Sequence, residues 1–346
     1  MGEPSPTSLR ILILGGTSFL GIHMTDIAVH RGHTVTHFNR GRTRPNLYPT
    51  IERLTGDREG DLRSLAGRSW DAVIDNCGYV PRHVRRSASA LASHIHRYLF
   101  VSSISVYADF TRPNDENSPL APLTDPNCEE PGKAYGALKA LCESAAEAAL
   151  PGRTLIVRPG LIVGPHDPTD RFTYWPARAA RGDEFLVPDD PDTPIQVIDA
   201  RDLARFCIGA LEAGLTGIFN ATSPTERFTM GDLIAGSVAA ALDLAAPDPP
   251  PLPVWVSSDF CEQQHVKPWS ELPVWFPRTG AMAALHRTRV DRALAAGLAI
   301  TPLNCTLKDT LLWHLGRPEV ERSKLRAGLT PERERELLNQ WRAQTR

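Results

Sequence analysis

No two of the six cysteines (Cys77, Cys128, Cys142, Cys207, Cys261 and Cys305) form a C-x-x-C pair, which argues against a disulfide framework or a zinc site. Free thiols in a reducing cytoplasm are expected instead. Charge of one sign is also missing: 38 Lys and Arg stand against 40 Asp and Glu, a net of −2, so no general field draws in nucleic acid or an anionic membrane surface. No run approaches the roughly 18 apolar residues of a spanning helix, and no basic start leads into a long apolar stretch. There is no internal repeat. These absences predict a cytoplasmic protein with a small-molecule substrate and no membrane contact, and they disfavour nucleic acid as a partner. At 346 residues the expected organisation is one large α/β unit carrying a smaller subdomain.

What is present is alternation. Short β-branched runs, "RILIL", "HTVTHF", "DAVID", "RYLFVSS" and "RTLIVRP", are separated by helical stretches at 19–31, 61–68, 82–95 and 133–149. Runs apolar on both faces, alternating with helices, predict a doubly wound parallel sheet. After residue 160 the rhythm fails: prolines cluster in "APDPPPLPVW", and Trp175, Trp255, Trp269 and Trp275 fall between 170 and 280. It returns briefly at "IQVIDARDLARFCIGAL" and "GIFNAT". The expected division is therefore residues 1–160 plus about 195–225 as a dinucleotide-binding domain. Residues about 161–194 and 226–346 form a smaller, discontinuous C-terminal substrate-binding subdomain with terminal helices. The last of these is marked by Thr330 at the N-cap, Pro331 at the first helical position and acids in the first turn, with Leu337, Leu338 and Trp341 on one face.

"ILILGGTSFLG" runs a strand into Gly15, Gly16, Thr17, Ser18, Phe19 and Leu20, with Gly21 inside the next helix. This is the arrangement that lets backbone amides approach a pyrophosphate at a helix N-terminus, although glycine also serves positive-φ turns that hold no ligand. The first and last glycines of G-x-x-G-x-x-G are present; Ser18 occupies the middle position. The second strand ends at Asn39 and Arg40, where a binder of nicotinamide adenine dinucleotide usually places an acid for the ribose. A guanidinium pairs with a 2′-phosphate that a carboxylate would repel, so NADP(H) is favoured over NAD(H). The alternative makes Arg40 and Arg42 solvated loop charges.

Further on, "YLFVSSISVY" leads to the helix former "AYGALKALCESAAEAAL", in which Tyr135 and Lys139 lie four apart on one face. A phenol titrates near 10, and an adjacent ammonium is expected to lower that value. Tyr135 then protonates a carbonyl oxygen as hydride arrives, Ser103 holds the same oxygen, and Lys139 holds the nicotinamide ribose.

Five segments together, "GGTSFLG", "VIDNCG", "VSSISVY", "YGALK" and "VRPGLIVGP", resemble an extended or atypical short-chain dehydrogenase/reductase of the NAD-dependent epimerase/dehydratase group. The resemblance covers about residues 9 to 165, with "QVIDARDLA" and "FNAT" similar further on, and implies a Rossmann-type sheet. It implies Ser103 as the catalytic serine, with Ser102 and Ser105 as neighbours, beside Tyr135 and Lys139. It also implies that Asp57 contacts the adenine amine, with Asp61 a competitor, that Cys77 and Gly78 pack behind the adenine ribose, and that the Pro159–Gly160 turn faces the nicotinamide amide. Members often form homodimers.

Relatives acting on nucleotide sugars commonly carry an asparagine where this chain has Leu161, which lowers that substrate class. In the following "HDPTDRFTYW", Phe172, Tyr174 and Trp175 are expected to line a mouth above the nicotinamide, or alternatively to form interface core. His166, Asp167, Asp170 and Arg171 are candidates to orient a polar end of the substrate. His265 and the tryptophans of "VKPWSELPVW" are assigned to a lid by position. Three functions follow: a reductase or dehydrogenase, an epimerase or dehydratase that retains its cofactor, and an RNA-binding member of the kind found in plastids. The first is favoured because the Ser, Tyr and Lys are intact and Arg40 points to NADP(H).

Overall fold

A computed structural model describes residues 8–188 and 190–345. Strands β1 (Arg10–Leu14), β2 (Thr34–Asn39), β3 (Glu52–Thr55), β4 (Ala72–Asp75), β5 (Arg97–Val101) and β6 (Thr154–Pro159) join a later strand, Gly217–Ala221. They form one seven-stranded parallel sheet, ordered from that later strand through β6, β5, β4, β1 and β2 to β3. The two-residue side-chain period divides each strand between two cores. Ile11, Ile13, Ile74, Leu99 and Val157 face α1 (Leu20–His30) and the helix Ala200–Glu212, while Leu12, Leu14, Val73, Tyr98 and Phe100 face α2 (Pro81–Leu91) and α3 (Pro131–Ala149). This is a Rossmann-like α/β fold.

A third core lies beyond the sheet. It joins Phe172, Trp175, Phe185, Trp275 and Leu337 with the helices Met230–Leu244, Leu303–Leu315 and Pro331–Gln344. The terminal helix has Thr330 Oγ1 accepting from Arg333 N at 3.2 Å. Its first-turn Glu334 is buried and paired with Arg178 at 2.6 Å, a tertiary role that a capping argument does not reveal.

Two sequence expectations need correction. The stretch 61–68 holds only a 3₁₀ turn, Arg63–Leu65, because its Asp57-to-Asp61 bridge and Asp61–Arg63 pairing fix a tight loop. The edge strand β3 was missed, since only Leu54 of its four residues is buried and it carries no apolar run. Among the described residues no helix is long and apolar enough to cross a membrane.

Candidate functional site

The C-terminal ends of the parallel strands open into a pocket of about 560 Å³. The chain leaves β1 through Gly15 (φ 113°) and Gly16 (φ 91°), conformations that side chains disfavour. Space is a second reason for glycine here. A Cβ would stand 2.5 Å from Asn76 Oδ1 at Gly15, 2.5 Å from His37 Nε2 at Gly16, and 2.6 Å from Asn76 Nδ2 at Gly21. Ser18, at the middle position, is exposed. Thr17, Ser18, Phe19 and Leu20 line the pocket with the glycines. No side chain caps α1 and its first turn holds no acid, so its partial positive charge is uncompensated at the pocket.

Asn39 does something the sequence did not suggest. Its Nδ2 donates to Gly15 O at 3.0 Å and its Oδ1 accepts from Gly41 N at 2.9 Å, pinning the end of β2 to the glycine turn. Arg40 and Arg42 line the pocket, are exposed and make no ion pair among the described residues. Asp57 is on the wall, whereas Asp61 is occupied by Arg63 at 2.9 Å and is not.

Beneath that wall lies a buried network that sequence reasoning missed. Arg58 donates to Asp75 at 2.6 and 2.7 Å and to Ser87 Oγ at 2.7 Å, and the Tyr98 hydroxyl donates to Asp75 Oδ2 at 2.7 Å. An apolar strand ending in an acid, as "DAVID" does, was the available signal, because a buried carboxylate demands a partner. Cys77 lines the pocket and its thiol donates to Leu14 O at 3.2 Å. Gly78 sits behind the wall, where a Cβ would meet Phe100 at 2.6 Å and Val84 at 2.7 Å.

Ser103, Tyr135 and Lys139 all line the pocket. A kink at Ala134 (φ −143°, ψ 41°) precedes Tyr135, and Gly136 allows α3 to press on the Ser105 carbonyl, which a Cβ would overlap at 1.9 Å. That contact brings the Tyr135 turn against the Ser103 segment. Lys139 is buried, its Nζ donating to Gly78 O at 2.7 Å and Val101 O at 2.6 Å, and desolvation lowers its pKa to about 8. Tyr135 is 38 % exposed at the pocket. Contrary to expectation its phenol is shifted upward, because desolvation outweighs the opposing hydrogen bond with Ser103 and the positive charge of Arg171. The charge of Arg171 acts on the phenol, while the Lys139 ammonium donates to the carbonyls of Gly78, in the loop after β4, and of Val101, at the end of β5. Ser102 donates instead to Glu143, which forms a buried 2.6 Å ion pair with Arg158.

Pro159 and Gly160 also line the pocket, and a Cβ at Gly160 would lie 2.5 Å from Thr222 Oγ1. Phe172, Tyr174 and Trp175 do not form a mouth. All three are buried in the third core, with Trp175 Nε1 donating to Pro273 O at 2.9 Å, so their apolar area seals the second unit. The polar residues around them are mostly occupied within the protein: His166 packs on His23 and Trp313, Asp167 binds Thr169, and Asp170 pairs with Arg317 at 2.8 Å. Arg171 lies over the Trp269 ring. Of the suggested lid, Trp275 is buried, Trp269 is half-buried and His265 is exposed. Among the described residues no group of three or more His, Cys, Asp or Glu could hold a metal ion.

The family model of the "NAD dependent epimerase/dehydratase family" matches residues 11–221, well over half of the chain. The chain belongs to this family. The epimerase/dehydratase fold is seen in solved structures. The Bordetella bronchiseptica enzyme WbmH in complex with NAD+ aligns with a TM-score of 0.66 at 16 % identity, over 90 % of this chain and 99 % of that one. A human epimerase family protein with NADPH aligns with a TM-score of 0.56 at 22 % identity, over 88 % and 99 %. UDP-glucose 4-epimerase from Thermotoga maritima, with UDP-glucose, aligns with a TM-score of 0.60 at 17 % identity, over 88 % and 98 %. At such identities the likeness is one of fold. By sequence, the chain is 26 % identical over 266 residues to the chloroplast stem-loop binding protein of 41 kDa b of Arabidopsis thaliana, an alignment spanning 69 % of this chain and 65 % of that protein.

Proposed function

We propose that this family member is an NADP(H)-dependent oxidoreductase acting on a small carbonyl or alcohol substrate through Tyr135, Lys139 and Ser103. The observation that carries the reading is that these three side chains share one pocket with the glycine turn. The pocket fits the cofactor: the uncapped end of α1 and the bare turn suit a pyrophosphate, and the unpaired Arg40 and Arg42 suit a 2′-phosphate. Asp57 would hold the adenine amine, Cys77 and Gly78 would pack behind the adenine ribose, and the Pro159–Gly160 turn would face the nicotinamide amide. When bound, the nicotinamide ring supplies or accepts hydride. Lys139 has two of its three N–H groups on backbone carbonyls and the third for the pocket. Tyr135 supplies the proton to a carbonyl oxygen, since a phenol is protonated at neutral pH, as reduction requires. Ser103 donates to the same oxygen. The six unpaired cysteines accord with a cytoplasmic setting.

A second reading, a redox-neutral epimerase or dehydratase that keeps its cofactor, uses the same three residues and is favoured by the family match. Titration with NADPH and NADH, then a carbonyl-compound screen at the reduced-cofactor absorbance, separates the two. Net NADPH consumption supports the reductase; tightly retained cofactor with no net consumption supports the epimerase. Tyr135→Phe is expected to lower turnover by about 10²–10⁴-fold while cofactor affinity stays within about twofold. Unchanged turnover refutes the assigned acid.

A further inference from the structure

Arg171 is a half-buried cation with no side-chain hydrogen bond and no ion pair among the described residues. It stands in contrast to the buried Arg178 and Arg158, each held by a glutamate at 2.6 Å. Its guanidinium lies 5.2 Å over the Trp269 ring, and Trp269 in turn stacks on Phe276 at 5.2 Å with an interplanar angle of 28°. That aromatic pair packs against the Ile104–Tyr107 segment immediately after Ser103, and Arg171 is close enough to Tyr135 to act on its phenol. A guanidinium over an indole and held by no carboxylate keeps its N–H donors free, and such a fork of donors receives a carboxylate through two parallel hydrogen bonds. The carboxylate whose charge acts on Arg171, Asp167, makes no ion pair with it and instead accepts from Thr169 N at 2.8 Å and Thr169 Oγ1 at 3.0 Å.

Resting on the oxidoreductase reading, we infer that the substrate carries a carboxylate on an aromatic or broad apolar frame, the carboxylate held by Arg171 and the frame by Trp269 and Phe276. A single cation beside the Asp167 carboxyl suits a monoanion better than a doubly charged phosphate.

The test is calorimetric titration of the full chain, alone and with NADPH, using benzoate, benzamide and phenyl phosphate. Benzoate is expected to bind at least about tenfold more tightly than benzamide, which corresponds to about 1.4 kcal/mol. Arg171→Gln should erase that preference and Arg171→Lys should restore part of it, with NADPH affinity and circular dichroism unchanged in both. Equal or undetectable binding of benzoate and benzamide by the wild type overturns the inference, as does a preference that survives Arg171→Gln. Tighter binding of phenyl phosphate than of benzoate overturns the carboxylate assignment. Because none of these readouts needs turnover, failure here is distinct from failure of the oxidoreductase reading, which would show as absent NADPH binding or an active Tyr135→Phe.

Discussion

The two halves of the molecule make their sharp turns by different means. Up to residue 160, sharp turns are made with glycine: among the described residues there only Phe19 and Arg44 are non-glycine residues at positive φ. After it, eight such residues occur among those described, including His166, Asp170, His265, Trp269 and Val274. A side chain held there costs on the order of 1–3 kcal/mol and persists only where its surroundings enforce it. The enforcing contacts are visible: Arg317 grips Asp170, and the carbonyl of Val274 accepts from His286 at 2.7 Å. The first half is therefore specified locally, by period and glycine placement, and the second by long-range side-chain contacts.

The largest test of that contrast asks what the first half gains from side chains at all. Its regular ladder ends in a wholly buried Asp75 whose pairing with Arg58 is not dictated by strand period. Asp75→Ala would leave the Arg58 charge buried without its carboxylate, and a loss of about 3–5 kcal/mol in urea unfolding is expected. A loss under 1 kcal/mol would mean that backbone regularity suffices there and would sharpen the contrast further.

The next test targets the second half. His286 accepts from Gln196 N at 3.0 Å through Nδ1 and donates to Val274 O through Nε2, so it is held neutral, and burial lowers its pKa from 6.5 to about 4. Between those values the unfolded chain binds a proton that the folded chain does not. Stability contributed by this site is thus complete above pH 6.5 and lost as the pH falls toward 4, by about 3 kcal/mol in all. His286→Gln keeps one acceptor and one donor without titrating; its unfolding free energy should fall less over that range. Parallel pH profiles for the two proteins would show that the loop is not pinned through the neutral imidazole.

This contrast also explains what was legible in the sequence. "RILIL", "DAVID" and "RYLFVSS" announced the sheet because burial on both faces leaves a continuous apolar signal, and β3 escaped because an edge strand needs none. Gly15, Gly21, Ser103, Tyr135 and Lys139 could be singled out because local spacing sets where they project. Asn39 could be placed at the strand end but not in its role, which depends on where the Gly15 carbonyl lies. Phe172, Tyr174 and Trp175 misled because an aromatic cluster looks the same in sequence whether it lines a mouth or fills a core. Their partners in the core, spread from Val163 to Trp341, decide between these, and no spacing rule connects them.

The terminal helix Pro331–Gln344 is the exception that limits the contrast, since it lies in the second half yet its start was readable from Thr330 and Pro331. Thr330→Ala removes the acceptor for Arg333 N, and a loss of about 1 kcal/mol is expected, with Thr330→Gly or Thr330→Ser costing less. The tertiary contribution separates cleanly, because Glu334 in the first turn also holds Arg178 and accepts from Leu186 N at 3.2 Å. If Thr330→Ala costs several kcal/mol, the cap is acting through that buried pair rather than on the helix alone. The end of the chain would then be specified by long-range contacts like the rest of its half.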